Sequence, residues 1–387
     1  NRTIKLFRSG ATNNLADSKW NTDSCNPSNL PNGSPQTTLN SSEQAFFGAN
    51  YLDPSLNTGA GLSQWTAMTN GSSGTANQKA AAVGSNLVNF LRGHRAKEDF
   101  VANDVNRLYR AREHVLGDII DSRPVGVGAP FASYDDTGYA TFQAANANRT
   151  VTLYVASNDG MLHAFRASDG QETWAFVPSA VLPNLYKLAD ANYANNHIYF
   201  VDGAQIAAEV FDAFSSTWKT ILVGGLDKGG KGYYALDVTD PNTPNALWEF
   251  KYSSTCYDGT SATAGADCDL GYTFGNPVVG KLADGTWAVF FTSGYNNVSG
   301  SANDGKGFLY VLNAVTGKII YKIGTGVGSS STPSGLRSIV GWVDNALHNN
   351  TIQRIYGADL LGNIWRFDIN NILGDPGREA SKVTQVV

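Results

Sequence analysis

The clearest apolar–polar pattern in the chain runs from Val151 to Val177 and predicts three short strands joined by two tight turns. Thr152 to Ala156 and Met161 to Arg166 are rich in β-branched and aromatic residues, with Asn158-Asp159-Gly160 between them. Asp-Gly suits a two-residue hairpin turn, because glycine accepts the positive φ that a Cβ resists. Asp169-Gly170 repeats the device ahead of Glu172 to Val177. Such a meander cannot bury both faces by itself and has to stack on other sheets.

The rest of the chain supplies copies. An apolar run ending in small residues occurs at Leu153–Ser157, Ile221–Gly225, Val289–Ser293 and Arg354–Ala358, the last residues standing 68, 68 and 65 positions apart (157 to 225, 225 to 293, 293 to 358). The following strand recurs at Met161–Phe165, Gly232–Asp237, Gly307–Asn313 and Asn363–Asp368. Two copies lead into strands bearing Trp174 and Trp248. Leading strands are expected at Arg123–Ala129, Asp202–Phe211, Asn276–Leu282 and Arg337–Val343. A four-strand unit recurring at this interval is a long propeller blade, since most all-β repeats of this kind run at about 40–50 residues. A β-sandwich is the competing architecture.

Outside the repeats, Thr3 to Phe7 alternates as a strand, and the remainder of 1–75 is rich in Asn, Ser, Thr, Gly and Pro. That composition builds no core of its own; it reads as long loops draped on the main domain or as a disordered linker. Ala80, Val83, Leu87, Phe90 and Leu91 share one helical face within Gln78–Leu91, and Gly93 is placed to end that helix. Val101–Val115 suggests a second helix with Val105, Leu108 and Tyr109 on its apolar side, leaving Arg107, Arg110 and Arg112 as a solvated face. The expected organisation is therefore an N-terminal segment over 1–117 and propeller blades over 118–387.

Composition agrees with a turn-rich β protein: 387 residues with 41 glycines, 18 Phe, 17 Tyr and 8 Trp, and only 16% charged residues. A net charge of −5 without a basic face disfavours nucleic acid as a partner, and no apolar run reaches membrane-spanning length. Cys256 and Cys268, twelve positions apart in a small, polar loop, read as a disulfide and hence an oxidising compartment. Closing that loop is worth roughly 3 kcal/mol on a chain-entropy estimate. Zinc is the rival reading, but neither a Cys-x-x-Cys pair nor a nearby histidine supports it. Cys25 is left over, either free or paired outside this sequence.

No catalytic constellation emerges. Lys228–Gly232 lacks the order of a phosphate loop and leads into a strand, so it reads as a hairpin loop. The five histidines (94, 114, 163, 197, 348) are scattered, and His163 reads as a structural group inside a strand. There is no Gly-x-Ser-x-Gly elbow. The Trp-bearing blades resemble those of quinone-dependent alcohol dehydrogenases, but the adjacent cysteine pair and clustered carboxylates of those enzymes are missing from the sequence.

Several longer strings together resemble the PilC/PilY family of type IV pilus biogenesis factors and tip-associated adhesins. They are Leu116–Val125, Tyr154–Phe165 with its Asn-Asp-Gly-Met-Leu-His-Ala-Phe, Gly229–Thr239, Gly271–Pro277 and Asp359–Asp368. The resemblance covers about 85 to 370 and marks Asn158, Asp159, Gly160, Trp174, Trp248, Asp359, Gly362 and Trp365 as structural blade positions. It implies an all-β, modified propeller of about seven blades, related in form to quinoprotein dehydrogenases. It also implies a larger secreted protein that reaches the pilus tip or outer surface of a Gram-negative bacterium through the periplasm. There it would bind minor pilins, other pilus components, or host or abiotic surfaces, and favour pilus extension over retraction, without a catalytic residue. Some relatives carry a calcium loop before the strand matching Arg354–Ala358. The corresponding segment, Asp344–Gln353, keeps the Asp344 carboxylate, with Asn350 beyond it, but lacks the turn glycine. The expectation is no cofactor, with Ca2+ at that loop lost or weakened.

Overall fold

The structure, a computed structural model, describes residues 2–20, 38–57, 60–71, 77–257, 265–298, 304–369 and 383–386. Cys25 lies outside them. Two strands open the chain, β1 (Ile4–Phe7) and β2 (Leu15–Asp17). The first repeat is β3 (Val125–Val127), β4 (Thr152–Ser157), β5 (Met161–Arg166) and β6 (Glu172–Val177). The second is β7 (Gln205–Asp212), β8 (Thr217–Gly225), β9 (Gly232–Asp237) and β10 (Asn245–Tyr252), edged by the short β11 (Ala266–Asp267). The third is β12 (Val278–Lys281), β13 (Trp287–Thr292), β14 (Phe308–Asn313) and β15 (Ile319–Gly324). The fourth is β16 (Ile339–Asn345), β17 (Asn349–Ala358), β18 (Ile364–Phe367) and β19 (Val383–Gln385).

Each repeat is a meander of four sequential neighbours, as the repeated pattern demanded. The first sheet runs β2-β1-β6-β5-β4-β3, with β1 parallel to β6 (Ile4 opposite Ala175). The third and fourth repeats meet through one parallel register, Lys281 opposite Thr351. The leading strands are shorter than the pattern suggested, because the Pro- and Gly-bearing residues before β3 and β12 remain outside the ladders.

Burial on both faces explains the near-continuous apolar runs of the inner strands. In β13, Trp287, Val289 and Phe291 enter one core while Ala288 and Phe290 enter another. In β14, Phe308, Tyr310 and Leu312 join the first core, and Leu309 and Val311 the second. Side chains alternate across a strand, so a blade packed on both sides needs apolar residues at every position. The first core closes with aromatic contacts between the second and third repeats: Tyr233 stacks on Phe291 at 4.2 Å, and Phe250 lies 5.4 Å from Tyr310. The second core joins Phe290, Leu309 and Val311 to Ile355, Trp365 and Phe367 of the fourth repeat.

The chain forms two compact units. One comprises residues 1–118, 157–162 and 173–200; the other comprises 119–156, 163–172 and 201–387. In the first unit, the helix expected over Gln78–Leu91 is broken into Gln78–Ala81 and Ser85–Leu91, because Gly84 adopts φ +68° between them. Leu87, Phe90 and Leu91 are buried and Gly93 ends the second piece at φ +100°, but Ala80 is exposed. Val101–Val115 forms no helix. Leu108 and Tyr109 are buried there, yet the arginines are not a solvated face. Arg112 is buried and donates to Glu98, to the Phe90 carbonyl (2.9 Å) and to the His94 carbonyl (3.0 Å). Long-range partners, absent from any local periodicity, hold this segment extended.

Candidate functional site

The Asn158-Asp159-Gly160 turn between β4 and β5 is the anchor of a pocket in the first unit. Gly160 takes φ +90°, and a Cβ there would strike Leu185 Cδ2 at 2.3 Å. Asn158 donates from Nδ2 to Asp118 Oδ2 (2.8 Å) and accepts from the Phe200 N–H (2.9 Å). Its own N–H donates to the Asp118 carbonyl (2.9 Å), clamping 116–118 against the turn. Asp118 also meets His197 Nε2 at 3.0 Å. Burial pushes the Asp118 carboxyl up, but the bonds from Asn158 and His197 outweigh it and hold the group below its ordinary value.

These contacts wall a cavity of about 400 Å³ whose lining includes Arg110, Asp118, Asn158, Asp159, Leu188 and Tyr193. Arg110 donates from Nε to the Leu188 carbonyl (2.6 Å), and its guanidinium lies 4.3 Å from the centre of the Tyr193 ring. One cation and two carboxylates on the wall suit recognition of a polar, mixed-charge segment. No Ser, Thr, Cys or Lys is among the described lining residues. Local reading missed Arg110 and His197; Asp118 lay within the quoted 116–125 string, with nothing to show its partner.

The other blade positions do not gather at this pocket. Trp174 is buried in the first unit. In the second unit, Trp248 on β10 donates to the Ala314 carbonyl (2.9 Å) and covers Gly317, fastening the second repeat to the third. Asp359 instead serves its own hairpin, accepting from the Leu361 and Asn363 N–H groups (3.0 and 2.9 Å) and from Trp365 Nε1 (2.8 Å). Gly362 supplies φ +85° in that turn. His163 is fully buried and pairs with Glu172 at 2.7 Å, a structural arrangement within the second unit.

The segment matching the family's calcium loop is the β16–β17 hairpin. Asp344 Oδ1 accepts from Trp342 Nε1 (3.3 Å), and Asn350 donates to the Val279 carbonyl (3.2 Å). Neither contact builds a carboxylate cage. Cys256 and Cys268 are joined as a disulfide. Asp267 and Asp269 flank Cys268, and Lys322 Nζ lies 2.6 and 2.5 Å from their carboxylates; Tyr310 also donates to Asp267 (2.8 Å). With the thiol oxidised and the ammonium between the carboxylates, the cluster is an ion-pair network rather than a metal centre.

A profile of the PilY1 beta-propeller domain matches residues 116–385. The chain belongs to the PilY1 β-propeller family. It is 40% identical over 304 residues to the type IV pilus biogenesis factor PilY1 of Pseudomonas aeruginosa, covering 76% of this chain and 23% of that protein. It is 38% identical over 298 residues to a PilY1 homolog of Xylella fastidiosa, covering 75% of this chain and 22% of the relative. The chain thus spans under a quarter of the length of these relatives. The crystal structure of the P. aeruginosa PilY1 C-terminal domain matches at TM-score 0.50 and 32% identity, over 67% of this chain and 50% of that one. The fold is accordingly all-β, built of propeller blades, with few helices. Among the described residues, no helix is long and apolar enough to cross a membrane.

Proposed function

We propose that this chain is the propeller part of a type IV pilus assembly factor that acts by binding, through its surface and without catalysis. The observation that carries the reading is the 40% identity to a pilus biogenesis factor, extending through the specific turn 158–160 that builds the pocket. The partners proposed are minor pilins, other pilus components, or host or abiotic surfaces, met at the pilus tip or outer cell surface after export through the periplasm. Binding there would favour extension over retraction. The Cys256–Cys268 disulfide supports an oxidising destination. A quinone-dependent dehydrogenase is the second reading, supported by the blade form alone.

A loop scan tests the proposal. Exposed polar positions such as Lys228, Lys231 and Asp304, together with Arg110 at the pocket, are substituted while thermal stability is followed. We expect some variants of unchanged stability to lose surface pili or capture of minor pilins, with the losses clustered on one face or at the pocket. Losses that scatter, or none across a full scan, would place the function elsewhere in the larger protein. Redox turnover on adding quinone and calcium would favour the enzyme reading instead.

A further inference from the structure

A second polar group lies in the 119–156/163–172/201–387 unit, far from any motif that the sequence singled out. Asp227, at the end of β8, is 8% exposed, and among the described residues no hydrogen bond or ion pair reaches its side chain. It points toward the backbone just before β7. A Cβ on Gly203 would sit 3.0 Å from Asp227 Oδ1 and 2.4 Å from the Gly225 carbonyl oxygen, so both oxygens crowd one spot that only glycine leaves open. Asp202, 1% exposed, is next in the chain, and its Oδ1 accepts from the Asp121 N–H at 3.4 Å. The exposed Asp121 carboxylate stands at the rim.

Nearby cationic charge is thin. Arg337 is the basic group that acts on Asp227, but its guanidinium is drawn over the Phe274 and Tyr295 rings, at 5.5 and 5.7 Å. Burial first, then the charges of Asp202 and Asp121, push the Asp227 carboxyl up to about 7 against the pull of Arg337. A carboxyl raised above its ordinary 3.8 opposes folding increasingly as pH climbs from that value to about 7. Two buried carboxylates and a carbonyl form an all-oxygen donor set, which prefers a hard divalent cation.

The geometry points to a cation site at Asp202, Asp227 and the Gly225 carbonyl, with Asp121 at its mouth, that takes Ca2+ or a similar hard divalent ion. The three carboxylates are not all mutually within 4.8 Å, so Asp121 would act by swinging in or through a bound water. This site is separate in sequence and in the fold from the β16–β17 hairpin that matches the family's calcium loop.

The test uses the whole chain with Ca2+ as the probe, in three readouts: melting temperature in chelator against millimolar calcium, calcium titration calorimetry, and Tb3+ luminescence sensitised by Tyr233 and Tyr234. We expect calcium to raise the melting temperature by several degrees, more at pH 8 than at pH 5. Asp227→Asn should weaken calcium binding by about tenfold or more while melting no lower than the parent in chelator, because it removes an uncompensated buried charge. Asp344→Asn should leave the response intact. Should Asp227→Asn fail to fold, the exposed Asp121→Asn serves: a severalfold weaker affinity supports the site, and an unchanged one counts against it. The proposal is overturned by no calcium response in the parent chain, by a response that survives Asp227→Asn, or by one lost on Asp344→Asn.

Discussion

Asp359 shows how much one carboxylate can organise. Besides the two backbone donors and Trp365, it accepts from Asn363 Nδ2 (2.9 Å) and Ser334 Oγ (3.2 Å). Burial pushes its pKa up, but these hydrogen bonds prevail and the group sits below the ordinary 3.8. A depressed folded value means the contribution is complete above 3.8 and is lost as pH falls below it toward the folded value. Asp359→Ala leaves the indole N–H of a buried tryptophan without its acceptor, which should cost about 2–3 kcal/mol by chemical denaturation. The variant's acid-unfolding curve should also be flatter below pH 4; an unchanged curve would show that other carboxylates set it. Gly317 makes a steric counterpart. At φ +67°, its missing Cβ would lie 2.5 Å from Trp248 Cγ, so Gly317→Ala combines left-handed strain with overpacking. A loss of about 2–4 kcal/mol is expected, and a neutral result would mean that the Trp248 contact is loose.

Among elements, the 256–268 connection is held in two ways. The disulfide closes it, and Lys322 on β15 neutralises Asp267 and Asp269, both fully buried. Lys322→Met removes the cation while keeping most of the stem. Two uncompensated buried carboxylates should then cost about 3–5 kcal/mol, measured by denaturant titration with the disulfide intact. Reducing the disulfide alone should cost no more than roughly 3 kcal/mol, and peptide mapping without reductant should recover Cys256 linked to Cys268. Both thiols free in periplasmically exported protein would remove the compartment argument. The pairing of these cysteines was legible from their spacing and loop composition. The lysine was not, since it lies 53 positions beyond Asp269 on another repeat's strand.

For the molecule as a whole, stability and binding should separate. Trp365 is 4% exposed within the core shared by the third and fourth repeats, so Trp365→Ala should cost about 3–5 kcal/mol and abolish surface pili through loss of fold. Its melting curve would reveal that cause, whereas partner-face variants should lose pili with the parent's melting temperature. A Trp365→Ala chain that keeps both stability and pili would contradict the two-sided blade packing.

The sequence by itself determined what depends on neighbours along the chain. Asp-Gly turns, the strand alternation and the runs buried on both faces located the four repeats, and the strings around 158–160 and 359–365 located the family. It also marked Leu108 and Tyr109 as core residues within a segment whose helical form was wrongly expected. Tertiary structure alone decided that Arg112 is buried against Glu98, that Arg110 lies over Tyr193, and that Asp118 clamps a turn 40 residues away. It alone brought Asp227 beside Gly203 and Asp202. Periodicity reports which side of an element faces the interior. It carries no information on which distant charge or carbonyl arrives there, because that depends on how separate repeats stack, and the pocket and the carboxylate cluster both consist of such arrivals.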